Sequence, residues 1–327
     1  IGLELAVALK QLKVNYVHLE AAQIGQTISW FPKQVRFFSS PERIAIAGVP
    51  LQTADQSKAL REEYLAYLRG ICQQFDLTVN TQERVTEIHP DPTDAQRGLI
   101  IRSRHRGADR RYLARHTILA IGDMHRPRPL AIPGEDLKHV SHYFDEPHRY
   151  FRQRLFIVGG KNSAVEAALR CHRAGAQVSM SYRRECFDPK SIKYWLLPEI
   201  KVLIKTGQID FHPCTVPVRI TPDHVTLQSV GDDGVSGAIT PNQRVRADFV
   251  LLLVGYEMDR SLLKMAGVNL LGVNQAPQVE ERTMETNVPG LYVAGTAAAG
   301  TQVKFKLFIE NTHEHVQRIV RAVTGRN

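Results

Sequence analysis

The run Ile157-Val158-Gly159-Gly160-Lys161-Asn162-Ser163-Ala164 constrains this chain more than any other segment. Leu155 to Val158 reads as a buried strand, and Ser163 to Ala174 as a helix closed by Gly175. A glycine turn between a strand and a helix is where a dinucleotide fingerprint has to sit. Gly159 permits the tight turn and Ala164 permits close packing of helix on strand. The helix start then offers free amide N–H groups and a positive dipole end to a pyrophosphate. The middle glycine of the G-x-G-x-x-A pattern is replaced by Lys161. Its side chain either crowds the approach of the backbone or brings an ammonium to the phosphate. Gly160, Asn162 and Ser163 complete the candidate cradle. Taken alone, the run is equally consistent with an ordinary strand–helix turn, so its surroundings have to decide.

The following strand, Gln177 to Tyr182, runs directly into Arg183-Arg184. An acid in this region would hold the free ribose 2′-hydroxyl of NAD, whereas guanidinium forks suit the 2′-phosphate of NADP. Glu185 follows at once, and a basic surface pair is common by itself. Strand, glycine turn, helix, strand and Arg-Arg in succession are much less common.

Parts of a second nucleotide unit are visible. Gly2 starts a helical pattern with Leu5 and Leu9 on one face, and a strand read over Val14 to Leu19 ends at Glu20. That spacing fits the last glycine of G-x-G-x-x-G followed by the acid that binds an adenosine ribose. The first strand and first two glycines of such a motif are then expected upstream of residue 1. Ala120-Ile121-Gly122 closes another strand ahead of the Pro-rich crossover His125 to Pro133. Val254-Gly255 ends a strand in the same way, and Thr286 to Gly295 places Gly295 at a strand end facing a helix. Ligands of open α/β sheets bind beyond the carboxyl ends of the strands, which is where these glycines fall.

The rest of the pattern fits around these units. Arg61 to Gln74 carries Tyr64, Leu65, Leu68 and Cys72 at helical spacing, and Lys306 to Val323 also reads as a helix. From Leu77 to Ile121 the signal is that of an antiparallel excursion with a turn at Arg106-Gly107-Ala108-Asp109. Strands alternating with helices argue for parallel sheets covered on both faces. The chain has 327 residues, enough for two domains. The expected fold class is α/β: two Rossmann-like FAD/NAD(P)-binding domains, the NADPH domain inserted in the FAD domain. The expected boundaries are 1–124 and 257–327 for the FAD domain and 125–256 for the NADPH domain.

Composition narrows the function. With 43% apolar and 23% charged residues the chain reads as a soluble globular protein, and its apolar runs, such as Val250 to Val254, are far short of a membrane span. The net charge is +9, with arginines gathered at 102, 104, 106, 110, 111 and 115. A solvated face on a strand–turn–strand element explains these better than nucleic-acid binding, since no aromatic residue is interleaved before Tyr112. The four cysteines, Cys72, Cys171, Cys186 and Cys214, form no C-x-x-C pair and no zinc-binding spacing, which points to a reduced, cytoplasmic setting. Cys186 follows two cations that could lower a thiol pKa, although a half-buried structural cysteine is the simpler reading. His139, His142 and His148 are close in sequence, but no general base is assigned to them.

At this point the chain resembles the bacillithiol-disulfide-reductase-like flavoproteins of the thioredoxin-reductase superfamily. The matching segments are Phe37-Phe38-Ser39-Ser40, Ala120 to Gly122, Pro133-Gly134-Glu135-Asp136, His142-Tyr143-Phe144, Gly159 to Ser163, Ser191-Ile192-Lys193, Leu197-Pro198-Glu199, Met284 to Gly295 and Phe308-Ile309-Glu310-Asn311. They span nearly the whole chain in order. The resemblance implies FAD and NADPH, a small-molecule electron acceptor of the low-molecular-weight disulfide class, and a homodimer. It places Phe38, Ser39, Gly295 and Thr296 toward the flavin, beside Gly2, Glu20, Ala120 and Gly122, and it makes Gly255 part of the cofactor-binding set. Ile1 stands where that branch often has a cysteine, and Thr296 where the wider superfamily has an acid. Competing expectations are a flavin monooxygenase, a ferredoxin or quinone reductase of the same fold, and a non-catalytic NADP-binding scaffold or fragment.

Overall fold

The computed structural model describes residues 1–91, 98–231, 242–302, 304 and 306–325, and it divides into two compact units. The first contains Ile1–Ser29, Gln34–Arg126 and Tyr256 onward; the second contains Trp30–Lys33 and Pro127–Gly255.

The first unit opens with helix α1 (Gly2–Gln11), which buries Leu3, Leu5, Ala6, Val7 and Leu9. Helix α2 (Arg61–Gln74) turns Tyr64, Leu68 and Ile71 inward, and these join Val7, Ile44 and Ile46 in one cluster; of the expected stripe, Tyr64 and Leu68 are buried, whereas Leu65 and Cys72 are only half-buried. Strands β1 (Glu83–Pro90), β2 (Leu99–His105) and β3 (Ala108–Ala114) form an antiparallel sheet, with His105 paired to Ala108 across the Arg106-Gly107 turn. The expected antiparallel excursion is therefore present between Glu83 and Ala114, but the end of the expected stretch, Thr117 to Leu119, pairs in parallel with Leu291 to Val293 instead. Its arginines form a solvated face, with Arg102 beside Glu87 and Arg104 beside Asp109. Strand β4 (Thr117–Leu119) leads to the Ala120-Ile121-Gly122 turn.

The second unit is built on a parallel sheet. Its strands are β5 (Val140–Ser141), β6 (Arg154–Val158), β7 (Gln177–Tyr182), β8 (Asp210–Pro213) and β9 (Phe249–Leu252), in the order β5-β9-β6-β7-β8. Helix α3 (Asn162–Arg173) follows β6, and α4 (Leu197–Lys205) precedes β8. Both faces of β6 are covered. Leu155 and Ile157 pack with Val165, Leu169 and Met180, while Phe156 and Val158 pack with Val225, Leu227 and Leu252. Burying each such side chain contributes roughly 1.5–3 kcal/mol, and a strand covered on both faces reads as an unbroken apolar run. Arg154 closes the start of this layer with a forked pair to Asp248, 2.6 Å at the shorter contact.

The chain then returns to the first unit. Strand β10 (Leu291–Val293) pairs in parallel with β4, Val293 opposite Leu119, and helix α5 (His313–Thr324) buries His315, Val316 and Ile319.

Two expected elements differ. Lys306 to Val323 is not helical throughout, because α5 begins only at His313. The Oε1 of Gln302 accepts the amides of Lys306 and Leu307, and Oδ1 of Asn311 accepts that of Phe308, so these donors are taken by side chains. Val14 to Leu19 forms no extended strand among the described residues; only Leu19 bridges, in parallel, to Asn80. No helix among the described residues is long and apolar enough to cross a membrane.

Candidate functional site: two nucleotide cradles, one in each unit

In the second unit the turn after β6 leaves no room for a side chain at its two glycines. Gly159 has φ +139°, and a Cβ there would come within 2.5 Å of the Leu253 carbonyl oxygen and 3.0 Å of the Ala164 Cβ. A Cβ on Gly160 would be driven into the Tyr182 ring. Tyr182 cannot simply swing aside, because it is buried and stacked on Phe187 with centroids 5.8 Å apart. Ala164 is fully buried, so the helix sits hard against the strand as the sequence pattern requires. Gly159 N–H donates to the Ser181 carbonyl at 3.0 Å, which brings the turn alongside the end of β7.

Lys161 occupies the N-cap position of α3, with extended backbone and no side-chain cap over the first amides. The first turn of α3 carries no acid, whereas Arg170, His172 and Arg173 lie in its last turn, so the helix charges complement a dipole whose positive end faces the turn. Burial lowers the pKa of Lys161, and the charges of Arg183, Arg128 and Arg184 lower it further, with Asp188 acting in the opposite sense. Several like charges around one loop stabilise a polyanion placed among them. The sequence-predicted residues Gly159, Gly160, Lys161, Asn162, Ser163, Arg183 and Arg184 thus surround one end of one sheet. Gly255 lies beyond β9 at that same end, with φ +103°. Asn162 is fixed by its own partner: its Oδ1 accepts the Lys193 amide at 3.2 Å, and the buried Lys193 ammonium pairs with Glu166 at 2.7 Å.

The first unit gathers its own set. Gly122 (φ +74°) and Gly295 (φ +73°) end the parallel pair β4 and β10. The space a Cβ would occupy on Gly122 lies 3.9 Å from Thr296 Oγ1, and that on Gly295 lies 3.4 Å from Ile1. Gly2 faces Ala120 and His18, each 3.6 Å from its Cβ position, which is ordinary contact distance, so space alone does not demand glycine there. Gly2, Ala120, Gly122, Gly295 and Thr296 are therefore brought together. Glu20 accepts the Ala22 amide at 2.9 Å, and its backbone carbonyl accepts the amide of Glu83. Burial raises the Glu20 pKa, opposed by the Ala22 amide and by Arg84. Phe38 is held differently: its ring lies under the Lys58 ammonium, 5.2 Å from the centroid. Ser39 leads into the short turn Pro41–Ile44, whose Arg43 carbonyl accepts from His313 at 2.9 Å.

Several residues of these cradles are not evident from sequence. Burial pushes the pKa of His18 down to about 4; its Nε2 faces Gly2, and its Nδ1 is buried without a hydrogen-bond partner among the described residues. Asp123, directly after Gly122, is buried and accepts from Gln302 at 2.9 Å. His315 takes the Gly295 amide, so Gly295 contributes the path of its backbone to the cradle and not a free donor. Arg128 stands beside the Lys161 turn. Only Asp123 carried a signal, its place next to the A-x-G run. The histidines 139 and 142 serve other ends: His139 Nε2 lies 3.1 Å from the Thr221 carbonyl, and His142 lies 3.3 Å from Glu135.

The cradle of the second unit fits a dinucleotide phosphate, since Gly159 and Gly160 stand where a Cβ would clash and the flanking charges are cationic; in the first unit the fit rests on the left-handed backbone of Gly122 and Gly295 at the strand ends and on the carboxylate of Glu20. A family model described as "Pyridine nucleotide-disulphide oxidoreductase" matches residues 1–295. The chain belongs to this family. Across its full length this oxidoreductase is 34% identical to bacilliredoxin reductase Bdr of Bacillus subtilis over 327 residues, covering 99% of this chain and 95% of the relative. Its structure is similar to that of bacillithiol disulfide reductase Bdr from Bacillus cereus, with TM-score 0.90, 32% identity and coverage of 99% and 96%. The Staphylococcus aureus protein of the same name gives TM-score 0.87 at 31% identity, covering 99% and 94%. The resemblance read from the motifs holds, and with it a flavin-dependent oxidoreductase using FAD and NADPH.

Proposed function

We propose that this oxidoreductase uses NADPH to reduce a low-molecular-weight thiol disulfide of the bacillithiol type. The observation that carries this reading is similarity along the whole chain to reductases whose names specify bacilliredoxin or bacillithiol disulfide. FAD, when bound, supplies the two-electron relay between nicotinamide and acceptor. The protein's part is to bind and orient. The amides of Gly159, Gly160, Asn162 and Ser163, with the Lys161 ammonium, would hold the pyrophosphate of NADPH. Arg183 and Arg184 would hold its 2′-phosphate. Glu20 would hold the FAD ribose, and Gly2, Phe38, Ser39, Ala120, Gly122, Gly295 and Thr296 would surround the rest of FAD.

The cysteines support a reaction without a dithiol relay. All four are free. Burial raises the pKa of Cys72 and pushes that of the fully buried Cys171 up to about 12, so neither is a thiolate at neutral pH. Thioredoxin-type transfer through a C-x-x-C pair has no residues to use here.

The test is an anaerobic titration of the purified protein, reconstituted with FAD, using NADPH and then bacillithiol disulfide, cystine or glutathione disulfide. Bleaching of the flavin band by NADPH and its recovery with bacillithiol disulfide is the expected result. Bleaching followed by recovery only with oxygen or ferredoxin would replace this acceptor with that of a monooxygenase or ferredoxin reductase. Failure to take up FAD would reject the oxidoreductase itself.

A further inference from the structure

The cations around the Lys161 turn come from two sides of the sheet. Arg183 and Arg184 follow β7, on one side of β6. On the other side lies β9, and the loop after it, 253–255, touches the turn directly: the Gly159 Cβ position is 2.5 Å from the Leu253 carbonyl oxygen. Arg128 belongs to this second side, because its amide donates to the Gly255 carbonyl at 2.9 Å. The segment is Pro127-Arg128-Pro129. A proline after Arg128 biases it to extended backbone, and both prolines have fixed φ, so the anchor for this side chain is stiff. Arg128 is half-buried, makes no ion pair among the described residues, and acts on the Lys161 ammonium alongside Arg183 and Arg184.

In a dinucleotide laid over such a sheet, the 2′-position of the adenosine ribose sits at the end of the strand after the helix, here β7. The pyrophosphate sits over the glycine turn, and the chain then runs on toward the opposite side. Arg128 therefore approaches from the side away from the 2′-phosphate. We propose that Arg128 is a pyrophosphate-binding residue, closing the Gly159–Ser163 cradle from the β9 side. Charge matching agrees. The 2′-phosphate brings about two negative charges and the pyrophosphate about two more, against four cations at Lys161, Arg128, Arg183 and Arg184.

This assignment rests on reading the turn as the NADPH site, and two ligand fragments separate the two ideas. ADP carries the pyrophosphate without a 2′-phosphate, and 2′-AMP carries the 2′-phosphate without a pyrophosphate. Binding of each to the FAD-loaded protein is measured by calorimetry for wild type, Arg128→Ala, Arg128→Gln and Arg183→Ala. Both Arg128 variants are expected to weaken ADP about tenfold, the worth of one charge-assisted contact, and to leave 2′-AMP within about twofold. Arg183→Ala is expected to show the reverse. Retained 2′-AMP binding also certifies that the Arg128 variants are folded, and Arg128→Gln stands in should the alanine variant not be. Unchanged ADP affinity, or a loss confined to 2′-AMP, would overturn the role of Arg128 while leaving the site in place. Wild-type protein that binds neither fragment would overturn the reading of the turn itself.

Discussion

The backbone amide of Gly295 donates to Nδ1 of His315 at 3.2 Å, tying the end of β10 to helix α5. The bond requires Nδ1 to be unprotonated, and burial accordingly lowers the His315 pKa, with Arg318 acting in the same sense. A group whose folded pKa lies below its unfolded value of about 6.5 binds fewer protons in the folded state. Stability is then full above that value and declines as pH falls toward the lower folded pKa, by at most about 1.4 kcal/mol per pH unit for one group. His18 shifts the same way, so the informative quantity is a difference. His315→Gln retains an acceptor without a titration, and its unfolding free energy between pH 7 and 5 should fall less steeply than that of wild type. Parallel curves would remove His315 from the account.

Gly160→Ala tests the turn where space is tightest. The new methyl meets the buried Tyr182 ring, itself stacked on Phe187. Overpacking of this kind costs about 1–3 kcal/mol. The variant should melt several degrees lower and lose affinity for NADPH, and Gly160→Ala/Tyr182→Ala should recover part of that affinity. Wild-type melting and NADPH affinity in the single variant would mean that the ring moves freely.

How far the sequence reveals all this depends on the range of the interaction that fixes each element. Gly159, Gly160 and Ala164 are legible because the strand, turn and helix that constrain them are contiguous. Arg61 to Gln74 is legible because apolar residues such as Tyr64 and Leu68 recur at the helical period, although the buried face takes Ile71 where the pattern suggested Leu65 and Cys72. The antiparallel sheet is legible from alternation and a Gly-containing turn. The segment before His313 misleads because its apolar residues keep helical spacing while Gln302 and Asn311 capture the amides that a helix would use. Arg128 could not be found from spacing, since its place beside Lys161 depends on the distant Gly255. Similarly, nothing local marks His315 as the partner of Gly295.

Glu83 is the charge on which the β1–β3 sheet depends. Its buried carboxylate accepts from Ser103 Oγ and Tyr112 Oη, each at 2.6 Å, and pairs with Arg110 at 2.8 Å. Burial alone would raise its pKa, but these partners bring it below the ordinary value of 4.5. The stabilisation is thus present above that value and is lost as pH falls through the lower folded pKa. Glu83→Ala leaves Ser103 and Tyr112 without their acceptor across a void, while the exposed Arg110 returns to solvent, and should cost roughly 1–3 kcal/mol. The backbone N–H of residue 83 also donates to the Glu20 carbonyl, so a shift of β1 as the void collapses would reach Glu20, and FAD retention should fall with it. A denaturant midpoint within error of wild type would contradict this.

Gln302 joins two segments of the first unit through one amide group. Its Nε2 donates to Asp123 at 2.9 Å and to the Leu307 carbonyl at 3.0 Å, while its Oε1 accepts the Lys306 and Leu307 amides. Gln302→Ala leaves the Asp123 carboxylate buried without this donor and unlatches residues 306–307, so the purified protein should hold less FAD. Gln302→Glu is the sharper test. It keeps the acceptor for the two amides but sets a second carboxylate against Asp123. Two carboxylates sharing a buried site cannot both ionise cheaply, so the pair takes up a proton above the normal carboxylate range. At pH 7.5 this variant should hold FAD less well than wild type and melt at a lower temperature. On acidification toward pH 5.5 the shared proton restores a hydrogen bond, and the gap to wild type should narrow while that of Gln302→Ala stays constant. A gap for Gln302→Glu that does not change with pH would mean that Asp123 and residue 302 do not interact as charges, and that Gln302 acts only through the loop it ties down.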